Sequence, residues 1–98
     1  MSNREILRLI GRNIREARQK AGLTQECLAE LAAVHVQTIG SIERGGFPFA
    51  VTTFARVSQF LEISPNRLLD GLDSPDRQRT ARVKKAMARK RAPVRRKQ

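Results

Sequence analysis

A chain of 98 residues with 40% hydrophobic content can build one compact domain and leaves too little for a second core. Twenty Lys/Arg against nine Asp/Glu give a net charge of +11, which points to a polyanionic partner such as nucleic acid or an anionic membrane surface. With one cysteine, Cys27, and one histidine, His35, the chain can form neither an intramolecular disulfide nor a Cys/His zinc cluster, so no metal site is expected.

From Met1 to Gly11 the apolar residues are interrupted by Arg4, Glu5 and Arg8, which is unlike a signal peptide. No run reaches membrane-spanning length either, so a cytoplasmic protein without a membrane partner is expected. Ser2 followed three residues later by Glu5 resembles a capping box, and Ile6, Ile10, Ile14, Ala17 and Ala21 then recur at helical spacing up to Gly22. Thr24 caps a second helix, Gln25 to about Ala32, with Leu28, Ala29, Leu31 and Ala32 as its apolar residues.

Beyond Ala33 and Val34 a third helix, about 36–44, carries Ile39 and Ile42 inward and ends at Gly45-Gly46. Pro48 belongs to the loop after it. A fourth helix starts between Ala50 and Thr53 with the stripe Phe54, Val57, Phe60 and Leu61. Ser64 and Pro65 then open a short fifth helix, closed by Asp70-Gly71. No segment alternates as a strand does, so the expectation is an all-α domain of five helices over residues 1–72.

Residues 73–98 read differently. Residues 1–76 hold nine basic and nine acidic side chains, whereas 77–98 hold eleven basic and no acidic ones. A sixth helix could run from Ser74 to about Arg91, but Val83 and Met87 are its only larger apolar residues, and Pro93 would end it. Such a tail is expected to be disordered or fraying until a polyanion neutralises it.

Two short helices joined by a tight turn set the second at a steep angle, from which it can enter a DNA groove. Ala29 is small where the second and third helices approach, Val34 plugs the turn, and Ile39 and Ile42 anchor the third helix. Val36, Gln37, Gly40, Ser41 and Arg44 then share the outward face. Gln37 suits the adenine N6/N7 edge, Val36 a thymine methyl and Ser41 several bases; Gly40 permits close approach. Arg44, near the helix end, is better placed for a phosphate. The plain alternative is a solvated surface on which these residues do nothing.

The run Gln25-Glu26-Cys27-Leu28-Ala29-Glu30 through Ile39-Gly40-Ser41-Ile42-Glu43-Arg44-Gly45 resembles the phage lambda repressor/Cro (XRE) family of helix-turn-helix regulators, over about Ile10 to Leu69. The resemblance implies a five-helix DNA-binding domain acting as a homodimer on a palindromic operator. It implies base reading at Val36, Gln37 and Ser41, a backbone contact from Gln25, and a structural pair between Arg18 and Glu43. Three residues depart from the pattern. Ala33 stands where glycine is common, His35 where a small hydroxyl residue caps the third helix, and Glu62 where a glycine often parts the last two helices.

Leu68, Leu69 and Leu72 either close the core or, in part, serve a dimer interface; Phe47 and Phe49 beside Pro48 are a second apolar candidate. Three functions compete: a transcriptional regulator of repressor type, an antitoxin whose tail holds a toxin protein, and an architectural or RNA-binding protein acting through the tail. An enzyme is not expected, because the sequence offers no paired nucleophile and base, no phosphate-binding glycine loop and no cofactor motif.

Overall fold

The computed structural model describes residues 1–72 and 84–89. Its elements are α1 (Asn3–Lys20), α2 (Gln25–Ala32), α3 (Val36–Glu43), α4 (Val51–Leu61) and α5 (Pro65–Leu68), with a further helical stretch at 84–89 and no strand among the described residues. Residues 84–89 lie within the predicted sixth helix; the rest of that helix, and of the tail expected to be disordered, lies outside the described residues.

Three of the five helices α1–α5 start on a side-chain cap. Ser2 Oγ accepts the Glu5 N–H while the Ser2 N–H donates to Glu5 Oε1, so the box is closed on both sides. Thr24 Oγ1 accepts from Cys27 N–H, and Ser64 Oγ from Arg67 N–H ahead of Pro65. His35 and Ala50 cap α3 and α4 with backbone alone; the imidazole at 35 makes no capping bond.

Four helices end alike. Leu23 N–H returns to Arg18 O, Val34 to Ala29 O, Gly46 to Ser41 O and Ile63 to Ser58 O, each over one left-handed residue: Gly22, Ala33, Gly45 and Glu62. Ala33, which stands where glycine is common, adopts the left-handed conformation at φ 61°, which strains a residue with a Cβ.

The core joins Leu9, Ile10 and Ile14 of α1 to Leu28, Ala29 and Ala32 of α2, Ile39 and Ile42 of α3, Val57 of α4 and Leu68 of α5. The apolar pattern needs correction at several positions. Ala21 and Leu31 are exposed, and Phe60 sits on the edge of the α4 stripe with a large part of its ring in solvent. Leu9, which was not in the predicted stripe of α1, is a core residue. Leu68 is withdrawn from the surface altogether: it is 0% exposed, so it closes the core and has no area for a partner. Leu69 is half-buried and Leu72 38% exposed.

α1 reaches the end of α3 by a close backbone approach. A Cβ at Gly11 would collide with the Ile42 carbonyl and lie 2.8 Å from that of Glu43, so the end of α3 rests directly on α1. Asn13, two residues on, donates from Nδ2 to Leu68 O and Asp70 O, both at 2.9 Å, and so ties the α5 terminus to α1. Neither residue gave a signal in the sequence, since each acts through backbone atoms far along the chain.

Candidate nucleic-acid interface

The geometry of α2 and α3 follows from residues that are small or bent where the two helices meet. Ala29 is buried between them, Ala33 turns the chain through its left-handed φ, and Val34 packs against the core just beyond the turn. Ile39 and Ile42, 0% and 1% exposed, fix the inward side of α3 and therefore the direction of its other side.

On that other side Val36, Gln37, Gly40, Ser41 and Arg44 of the α3 segment join Gln25 of α2 around one shallow groove of about 380 Å³. The six residues that the sequence marked for DNA contact thus share one surface. Gln37 and Arg44 are exposed and Val36, Ser41 and Gln25 half-buried. Gly40 differs from its expected setting: it is buried, with the Arg44 guanidinium and the Gln25 amide oxygen lying over it.

Beneath this face lies a charged bond network. Arg18 Nε donates to Glu43 Oε2 at 2.6 Å and Arg18 Nη2 to Glu43 Oε1 at 3.1 Å, a two-bond fork between residues that are each 9% exposed. Arg18 Nη1 also donates to Leu23 O, closing the end of α1. The hydrogen bond to Glu43 raises the Arg18 pKa further, outweighing burial, which lowers it, so the guanidinium stays charged. Gln25 Nε2 donates to Glu43 Oε1 at 3.0 Å. Gln25 also lines the groove, with its Oε1 beside Gly40. Arg44 makes one long bond, Nη2 to Ser41 Oγ at 3.4 Å.

Among the described residues no helix is long and apolar enough to cross a membrane, and no three His, Cys, Asp or Glu side chains lie close enough to hold a metal ion.

Residues 14–68 match the family model described as helix-turn-helix. The chain belongs to this helix-turn-helix family, of the XRE type. DNA binding in the service of transcription regulation is the activity that goes with the family. The restriction-modification controller protein C.AhdI from Aeromonas hydrophila is similar at 32% identity and a TM-score of 0.61, over 63% of this chain and 94% of its own. Two further structures share the fold. An HTH_3-family transcriptional regulator from Vibrio cholerae aligns at 24% identity and TM-score 0.64, over 68% of this chain and 38% of its own. The clp gene regulator ClgR from Corynebacterium glutamicum aligns at 22% identity and TM-score 0.64, over 88% and 83%. The comparison with curated proteins finds no match.

Proposed function

We propose that this helix-turn-helix protein regulates transcription, as a repressor, by binding a defined palindromic DNA site as a homodimer in the cytoplasm, on the nucleoid. It works by binding and not by catalysis. α3 enters the major groove; Val36 meets a thymine methyl, Gln37 an adenine edge and Ser41 a further base, while Gln25 contacts the backbone through its remaining amide hydrogen.

The observation that carries this reading is the shared groove, because six residues from two helices converge on one outward surface whose underside is locked into the core. Dimer contact is assigned to Leu69 and Leu72, which keep accessible apolar area at the end of the domain. Among regulators, the role of a restriction-modification controller is favoured by the similarity to C.AhdI, which extends over nearly the whole of that protein.

Selection of bound sites from a random duplex pool tests the reading. The expected result is a pseudo-palindrome whose half-sites lie about 10 base pairs apart, centre to centre, one turn of the duplex. Enriched sites without two-fold symmetry, bound by one copy, would overturn the dimer; no enrichment at all would overturn sequence-specific binding.

A further inference from the structure

Gly40 is a glycine in the interior of an eight-residue helix, where it is a poorer helix former than alanine. Core packing does not require it. A Cβ there would stand 3.2 Å from Arg44 Nη1, 3.8 Å from Gln25 Oε1 and 4.0 Å from Arg44 Cζ. Only two side chains of the outward face occupy the space, and the guanidinium of Arg44 takes the nearer part of it.

Arg44 therefore does not extend off the end of α3. Its side chain runs back one turn toward the helix N-terminus, the direction in which helical Cβ atoms tilt, and lies over Gly40 with Nη2 at Ser41 Oγ. Among the described residues no carboxylate pairs with it. A guanidinium carries five N–H donors in a planar fork; here one faces Ser41, and the side chain lines the groove shared with Val36 and Gln37. The side chain is thus laid along the same surface as Val36 and Gln37, within reach of whatever those residues meet.

Resting on the reading of α3 as the major-groove helix, we infer that Arg44 is a base reader, taking the O6/N7 edge of a guanine in each half-site, and that Gly40 is the bed that lets it lie there. Gly40 thus serves Arg44 and not direct approach of the helix backbone to DNA. The pairing of planar fork with guanine O6 and N7 is the commonest specific arginine contact in a major groove.

The test uses the full chain and the site that wild type selects. Binding of wild type, Arg44→Ala, Gly40→Ala and the double variant is measured on that site, on its single-base variants and on random DNA, over a range of salt; far-ultraviolet circular dichroism establishes that each variant folds. Arg44→Ala is expected to bind the selected site about tenfold or more weakly, to lose preference for one guanine per half-site, and to keep its affinity for random DNA. Gly40→Ala is expected to lose preference for the same guanine, and to add no further loss once Arg44 is alanine. Equal losses on every sequence, with the salt slope reduced by about 0.9, would make Arg44 a phosphate contact and overturn the inference. An additional loss from Gly40→Ala in the Arg44→Ala background would overturn the role of Gly40. If wild type selects no site, the reading of α3 fails and takes this inference with it; if it selects one and Arg44→Ala leaves every preference intact, the inference alone fails.

Discussion

Gln37 sits in the first turn of α3 with its amide in solvent and its backbone already held by the helix, so binding has only a side chain to order. Its donor and acceptor match adenine N7 and N6 together, and losing both should be felt only where adenine stands. Gln37→Ala is expected to weaken the selected site by about 1–3 kcal/mol and to relax one base position per half-site, while affinity for random duplex, measured by fluorescence anisotropy, barely changes. Arg18 and Glu43 act beneath the surface instead. Removing one partner strands the other charge where water cannot fully reach it, and a loss of about 3 kcal/mol in urea-unfolding stability is expected for Arg18→Ala, above the roughly 0–1 kcal/mol of an exposed pair. The same change frees the Glu43 carboxylate that holds Gln25, so DNA binding should fall with stability. A double-mutant cycle with Glu43→Ala that shows no coupling would refute the linkage. The two residues lie 25 positions apart, and nothing in their spacing indicates contact; the pairing became legible only through the family pattern.

At the scale of helices, what was readable and what was not separate cleanly. Boundaries marked by Ser2, Thr24, Ser64-Pro65, Gly22 and Gly45 could be read because the residue type announces the backbone it serves. Ala33 and Glu62 adopt the same left-handed φ without announcing it: tertiary packing on either side imposes the turn, and the residue bears the strain. Relieving that strain gives a direct prediction. Ala33→Gly should raise stability by about 1 kcal/mol, net of the greater chain entropy that glycine brings to the unfolded state, with the fold and the selected DNA site unchanged. A melting temperature that falls would mean the turn is not strained. Gly11 was unreadable for the opposite reason, since nothing local requires glycine in the middle of α1; the demand comes from carbonyls of α3. Gly11→Ala places a methyl group against backbone that cannot move aside. A stability loss of about 2–3 kcal/mol is expected, together with weaker DNA binding as the end of the reading helix is pushed outward. Stability and binding both at wild-type values would show that α1 does not set the position of α3. The surface half of the site was the most legible part, because α3 has only one face left once Ile39 and Ile42 are buried.

Across the whole molecule, charge is divided unevenly between two stretches of chain. Residues 1–72 hold nine basic and seven acidic side chains, and one of the nine, Arg18, is spent internally on Glu43. The domain has little net field with which to draw DNA in. Residues 77–98 contribute eleven basic side chains and no acid, and among the described residues no core residue lies beyond Leu68. Truncation after Leu72 should therefore separate affinity from sequence preference. Each phosphate neutralised contributes about −0.9 to the slope of log affinity against log salt, so loss of several tail contacts should flatten that slope by several units. The residues proposed to read base edges lie on α3, so the truncated chain should select the same half-site at lower affinity. Titrations of both forms at four or five salt concentrations, with a parallel site selection, decide the point. An unchanged slope would mean that the tail makes no contact in the complex. Its eleven charges would then be available to an acidic protein partner, as the antitoxin reading requires, and retention of a stoichiometric partner by the full chain but not by the truncated one would identify that role.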